Sequence, residues 1–337
     1  MPEPKRVFIT DCEGPISKND NAFELASRYV PNGGKFFSVL SKYDDVLADV
    51  VKKPEYNAGG TLALILPFMK AHSVTNHNME EFSAENILLI PGASKTLKSV
   101  RNIMPSYIVS TSYQQYINAL CKAIDFPVCN TYSTKVNIDD YEMHPDEATR
   151  LKELAAEIAG MPVMNIPTPC NSLDDFSPDD RKYVARLDDI IWGEVSKMKI
   201  GQILKDVKPV GGHEKANAVK DIVSKENTDL SEVMYVGDSI TDEEAFKLVR
   251  GSNGLAVSFN GNNYAVNSAD VGIMSRTTSP IKILAVYFGY NGKQGVMEYV
   301  NNEPILQVLT EENVKEFSRA SSKFRKSIRG EHIGKLG

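Results

Sequence analysis

The sequence predicts an α/β protein: a Rossmann-like core with a parallel sheet, a mostly helical cap inserted after the first strand, and a second helical insertion further along. Three observations predict it. Short, β-rich apolar runs are each followed by a stretch of helical periodicity, the pattern of βαβ units with both sheet faces covered. Two long intervals lie between these runs: 16–85 carries helical patterns but no clear strand pair, and 133–208 is charge-rich with amphipathic helical patterns. Each apolar run also stops at polar residues, where open parallel sheets place their ligands.

The elements follow in order. "RVFIT" (6–10) is the first strand. "SYIVS" (106–110) is the second, between the helical stretches "GASKTLKSVRNIM" and "YQQYINALCKAI". "EVMYVG" (232–237) is the third, between "EKANAVKDIV" and "DEEAFKLVR". "GLAVSF" (254–259) and "DVGIM" (270–274) are two more, expected to join around the Asn-Gly turn at 260–261. In the first insertion, "NAFELASRYV" and "FFSVLSKYDDVLADVV" read as helices; in the second, "DEATRLKELAAEIAG" and "DDRKYVARLDDIIWGEVSKM" read as amphipathic helices. The stretch between the latter two contains four prolines and reads as a loop. This divides the chain into a core of 1–15, 86–132 and 209–300, a cap of 16–85, a second insertion of 133–208 and a helical tail of 301–337. In the tail, apolar residues at 314, 317, 324 and 328 form a stripe, with Arg319, Lys323, Arg325, Lys326 and Arg329 around it. Those cations read as the solvated face of a docked helix, with an anionic surface or a partner as the alternative.

Composition narrows the function. Length 337 with 42% hydrophobic and 24% charged residues is ordinary for a globular protein able to bury a sizeable core. A net charge of −6 argues against a general nucleic-acid binder. The four cysteines, Cys12, Cys121, Cys129 and Cys170, show no CxxC spacing and read as free thiols of a reducing compartment. The start "MPEPKRVFIT" has no signal-peptide core, and "TLALILPFM" is too short to span a bilayer, so a cytoplasmic location is expected.

The chemistry-bearing residues sit where the strands end: Asp11 and Glu13 after the first, Ser110 and Thr111 after the second, Asp238 and Asp242 after the third. Lys215 opens the helix leading into the third strand. Singly, each has an ordinary reading: aspartates are turn residues and caps, Ser110 a helix cap, Lys215 a solvated lysine. His213 reads as facing solvent, His72 and His77 as surface residues without metal spacing, and Cys12 as pointing into the sheet. Gly211 and Gly212 read first as a turn, and Tyr113 either edges the pocket or packs on the cap.

Together, "ITDCEGP", "IVSTS", "GGHEKANAVK" and "VMYVGDSITDEEAF" resemble, in order, the four motifs of the haloacid dehalogenase superfamily of phosphotransferases, with a phosphoserine-phosphatase-like core. The resemblance covers roughly residues 4–15, 86–132 and 209–290. It implies Mg²⁺, with Asp11, the backbone carbonyl of Glu13, and Asp238 as ligands and Asp242 beside them. Asp11 is the implied nucleophile, Ser110 and Thr111 the phosphate binders, and Lys215 the cation between nucleophile and phosphate. Glu13 takes the general acid/base position, where most phosphatases of the superfamily carry aspartate. The glutamate keeps the same acid chemistry with one more methylene, so it reads as retained function. Pro15 departs from the usual Thr or Val and puts only the local turn in question.

The activity implied is Mg²⁺-dependent hydrolysis of a small phosphorylated metabolite, a phosphoserine-like small acid among the candidates, through an aspartyl-phosphate. A phosphotransferase using an alcohol acceptor would share every one of these residues. A non-catalytic regulator on the same fold is the alternative of another class, with the second insertion and the basic tail as surfaces for a second copy or a protein partner. A degenerate scaffold, however, need not keep all the motif acids and the lysine.

Overall fold

A computed structural model describes residues 5–54, 56–167, 169–301 and 306–336. The opening MPEP and the core–tail junction at 302–305 lie outside them. Among the described residues the sheet has seven strands: β1 (Val7–Thr10), β2 (Ser106–Tyr113), β3 (Thr131–Thr134), β4 (Val233–Gly237), β5 (Leu255–Phe259), β6 (Val271–Ile273) and β7 (Leu306–Val308). Their spatial order is β3-β2-β1-β4-β5-β6-β7. All neighbours are parallel except β6 and β7. The parallel sheet expected from the apolar runs is therefore present.

The first insertion forms α1 (Asn21–Tyr29), α2 (Gly33–Asp45), α3 (Thr61–Ala71) and α4 (Asn76–Glu85). Between the insertions lie α5 (Ala93–Arg101) and α6 (Gln114–Ile124). The second insertion forms α7 (Pro145–Gly160), α8 (Pro178–Asp188) and the short α9 (Ile203–Asp206). The last part of the chain adds α10 (His213–Glu226), α11 (Glu243–Gly251), α12 (Asn263–Ser268), α13 (Ser279–Val300) and α14 (Val314–Arg329).

Period-two alternation in β1 and β4 sends side chains to two separate cores. Phe8 and Met234 join Leu97 of α5, Leu120 of α6 and Phe288 of α13 on one face. Val7, Ile9, Val233 and Tyr235 join Val219 of α10, Phe246 of α11 and Val266 of α12 on the other. The third core is the cap. Phe36, Leu40, Leu64 and Phe68 of the first insertion share it with Leu151, Leu154, Leu187 and Ile191 of the second. The two insertions thus bury their apolar stripes against each other and make one cap body. Tyr43 donates to Asp188 and accepts from Trp192 Nε1 at 2.9 Å across that seam.

Three features differ from the sequence reading. β3 was not foreseen: "TYST" is short and hydroxyl-rich, without an apolar run to mark it. β5 and β6 are not a hairpin about Asn260-Gly261; they are parallel, and α12 makes the crossover that parallel strands require. The tail is not purely helical, because β7 closes the sheet antiparallel to β6.

The cap joins the core through two adjacent segments. Lys18 N–H donates to Leu88 O at 2.7 Å, and Leu88 N–H to the Asn19 side chain at 2.8 Å. Asn19 Nδ2 lies 2.8 and 3.0 Å from the two oxygens of Glu24. Burial, with the Asp20 charge adding to it, pushes the Glu24 carboxyl up to about 7 despite that bond. A carboxyl raised on folding contributes stability that is present below its unfolded pKa and lost as pH rises toward the folded value. The Tm of Glu24→Gln relative to wild type is therefore expected to rise by a few °C between pH 5 and pH 8, about 1–2 kcal/mol after allowance for partial solvent exposure. Thermal melts across that range check it; a constant difference would overturn it.

Candidate active site

Strand register builds the site. Thr10 pairs with Val236 and with Ile108, so the residues just beyond β1, β4 and the middle of β2 meet at the carboxyl edge of the sheet. Asp11 N–H donates to Val236 O at 2.8 Å, which fixes Asp11 beside the end of β4. β2 continues past Ser110 to Tyr113, and its register with β3 shifts between Val109 and Tyr113. Ser110 is therefore a residue of an irregular strand, not a helix cap. Its Oγ lies 3.1 Å from Ser112 Oγ, while Thr111 Oγ1 donates to Val210 O at 3.0 Å.

Lys215 is fully buried near the start of α10. Its Nζ donates to Asp11 Oδ2 and to Asp242 Oδ1, both at 2.7 Å. Burial opposes its charge, but the Asp11 and Asp242 carboxylates together outweigh that and hold the ammonium above its ordinary range. Burial pushes the Asp11 carboxyl up, against the pull of Lys215 and with Asp242 and Asp238 adding to the rise.

Asp242 is a fixed group. Beyond Lys215 it accepts from Tyr235 Oη at 2.8 Å, Asp238 N–H at 2.9 Å and Ser239 N–H at 3.1 Å. These bonds hold the loop after β4 and thereby aim Asp238. Gly14 completes the cradle: its φ is +109°, and a Cβ there would lie 2.1 Å from Asp238 Oδ2. The glycine of the "DCEG" motif is thus the one residue type that lets Asp238 close on Asp11.

Carboxylate oxygens of Asp11, Asp238 and Asp242 lie within 4.8 Å of one another. Hard oxygen donors crowded around one point suit a divalent cation such as Mg²⁺. The donor set, buried carboxylates meeting at the carboxyl edge of the sheet, fits the ion. Because Asp242 is saturated by its hydrogen bonds, Asp11 and Asp238 are the side chains placed to hold it.

Glu13 stands apart from this cluster, at the entry to the cap. Its Oε1 accepts from Asn21 N–H, the first residue of α1, at 2.7 Å. Asp20 caps the same helix by accepting from Phe23 N–H at 3.0 Å. Burial, and then the Asp20 charge, push the Glu13 carboxyl well above the usual carboxylate range. The extra methylene lets Glu13 reach the core–cap boundary.

The cap contributes a loop ahead of α3. Asp44 accepts from the N–H groups of Gly59, Gly60 and Thr61, each at 3.1 Å, and from Thr61 Oγ1 at 2.8 Å. That loop, Phe37 and Ser41 face Asp11, Ser110 and Asp238 across a cavity of about 100 Å³. Tyr113 is buried and donates to Leu62 O at 2.6 Å, packing on the cap. His213 is exposed, Gly212 opens α10 with φ +51°, and Cys12 is buried in the sheet core.

Sequence reasoning missed two residues. Arg325 and Arg329 do not belong to a solvated face: Arg325 is buried, the Arg329 side chain is only 6% exposed, and both reach Asp238, Arg329 at 3.2 Å. Lys315, Arg319 and Lys323 are exposed cations of that helix. The available signal was the i, i+4 spacing of the arginines below Ser318 and Ser321, small buried residues that let this side of α14 approach the core.

No family model matches the chain, and no curated protein matches it. Among solved structures, the gene product AF1437 of Archaeoglobus fulgidus is 29% identical, with 99% of each chain covered and a TM-score of 0.85. Two chains of phosphoserine phosphatase are more distant. The apo form is 13% identical over 82% of this chain and 97% of that one, TM-score 0.44. The phospho-aspartyl intermediate analogue is 14% identical over 83% and 98%, TM-score 0.44. No helix among the described residues is long and apolar enough to cross a membrane.

Proposed function

We propose that this chain is a phosphomonoester hydrolase of the haloacid dehalogenase type, acting with Mg²⁺ on a small phosphorylated metabolite through an aspartyl-phosphate at Asp11. The observation that carries the reading is the buried Asp11–Lys215–Asp242 arrangement with Asp238 alongside, at the carboxyl edge of a parallel sheet. A bare structural ion pair does not need two carboxylates on one lysine with a third alongside, and burying them is costly. A site for a phosphoryl group and a divalent cation does need them.

Bound Mg²⁺ would neutralise charge on the phosphoryl oxygens and bring the nucleophile into its ionised form. The Asp11 carboxylate attacks phosphorus, and the bond to the leaving oxygen breaks. Glu13, whose raised pKa keeps a proton available, protonates the departing alkoxide. The deprotonated Glu13 then takes a proton from water as its oxygen attacks the acyl-phosphate, returning Asp11 and releasing phosphate. Lys215 holds one Asp11 oxygen and offsets the charge that builds up on the transferred group. Ser110 and Thr111 line the same cavity, where they are the polar groups assigned to the phosphoryl oxygens. The small cavity under the cap supports a small substrate, and the cap excludes competing water.

Hydrolysis of p-nitrophenyl phosphate that requires Mg²⁺, stops with chelator and returns on adding metal is the expected result. No turnover across a broad panel of phosphoesters would sink the reading. Glu13→Gln should lower turnover by roughly 10²–10⁴-fold. It should also let labelled phosphoenzyme accumulate, because the second step loses its base. Unchanged turnover in Glu13→Gln would remove Glu13 from the shuttle position.

A further inference from the structure

The C-terminal helix is docked on the core by contacts that owe nothing to catalysis. Phe317 lies on β6 against Gly272, where a Cβ would come within 2.4 Å of its ring. Ser321 Oγ donates to Gly261 O at 2.7 Å, beside Asn262, whose N–H donates to Asp238 O at 3.0 Å. One turn further, this docking carries Arg325 and Arg329 into the cavity that holds Asp11, Ser110 and Thr111.

The two guanidinium groups are used differently. Arg329 is occupied: its Nε donates to Lys18 O at 3.1 Å, its Nη2 to Asn19 O, and its Nη1 to Asp238 Oδ2 at 3.2 Å. It ties α14 to the segment that enters the cap. Arg325 holds Asp238 through Nη1, to the carboxylate and to the backbone carbonyl at 3.1 Å. Its Nη2 has only a long contact of 3.4 Å to Leu336 O, and its Nε is buried without a hydrogen-bond partner. Arg325 thus lines the ligand cavity as a buried guanidinium with donor capacity left over, a group suited to gripping an oxyanion.

Charge counting agrees. Asp11, Asp238 and Asp242 are balanced by Lys215, Arg325 and Arg329. A divalent cation at Asp11 and Asp238 would take the Asp238 carboxylate from Arg325 and free that guanidinium for another anion in the same cavity.

We propose that Arg325 is a substrate-binding residue whose guanidinium, delivered by the C-terminal helix, grips an oxyanion of the substrate beside Asp238, with Arg329 as the clamp that positions the helix. The identity of the anion as a phosphoester rests on the function proposed above; the anion site itself does not.

The test measures binding, not turnover, on the full chain. Calorimetry with Mg²⁺ present compares inorganic phosphate, phenylphosphonate and phosphonoacetate, none of which the protein can hydrolyse as an ester. Mg²⁺ alone is titrated separately. If Arg325 holds the phosphoryl oxygens, Arg325→Ala weakens all three anions by about 10–100-fold. If it holds a second anionic group, the loss is confined to phosphonoacetate. Arg325→Lys recovers part of the loss in either case, and its melting temperature controls for folding. The proposal is overturned if all three affinities stay at the wild-type value while Mg²⁺ binds more tightly, which would make Arg325 only a stand-in for the cation at Asp238. It is also overturned if wild type binds none of the anions. Anion binding through Arg325 in a protein that hydrolyses no ester would sink the hydrolase reading and leave this one intact.

Discussion

Asp11→Asn is expected to lower Mg²⁺-dependent hydrolysis of p-nitrophenyl phosphate by about 10⁴-fold or more, and to abolish transfer of phosphate to the protein. The argument is chemical. An amide oxygen is close in size to the carboxylate oxygen and can still accept from Lys215, which Asp11 meets at 2.7 Å. It cannot displace an alkoxide from phosphorus to give an acyl-phosphate. The substitution therefore preserves the packing of the site while removing the reaction from it. The decisive readout is covalent label from a phosphodonor, present in wild type, accumulated in Glu13→Gln and missing in Asp11→Asn, with melting temperature showing that each variant folds. Label retained in Asp11→Asn would place the nucleophile elsewhere. Residual turnover without label would favour direct attack by water.

The residues behind this prediction were legible in the sequence for a physical reason. Buried parallel strands must be apolar on both faces, so β1, β4 and β5 stand out as continuous runs, and the polar residues that stop them mark the carboxyl edge of the sheet. Asp11, Ser110, Asp238 and Asp242 were located in this way and Lys215 through the motif resemblance, and the structure brings them together. What stayed hidden depended on contacts between distant segments. Periodicity shows that α2 and α7 each have an apolar face, but not that the faces belong to one core. It registers the apolar stripe of α14 and treats arginine as solvent-facing, whereas the Arg325 and Arg329 side chains are buried because Asp238 and backbone carbonyls await them. The Asn-Gly pair at 260–261 carries a strong local hairpin signal, yet the six residues of α12 reverse the chain and make β6 parallel to β5. Local turn chemistry lost there to the topology of the sheet.

Lys215→Met should destabilise the fold by about 3–5 kcal/mol as well as remove activity, because it leaves two buried carboxylates without their shared cation. Methionine matches the length of the lysine stem, so the loss reports charge and hydrogen bonding more than a cavity. Lys215 has no exposed surface and donates to both Asp11 and Asp242. Water therefore does not screen the repulsion that appears when it is gone. Asp242 suffers most, since its remaining donors from Tyr235, Asp238 and Ser239 hold it in place and prevent it from turning toward solvent. A double-mutant cycle isolates this coupling. Asp242→Asn alone removes one charge but leaves Lys215 paired with Asp11, while Lys215→Met with Asp242→Asn removes the repelling pair. The double variant should cost clearly less than the sum of the two singles in denaturant unfolding, a coupling of the 0.5–3 kcal/mol order typical of groups in one network. Simple additivity would mean that Lys215 and Asp242 are neighbours without energetic dependence. In that case the lysine's place in the site would have to be argued from catalysis alone, through the charge it sets against the phosphoryl group.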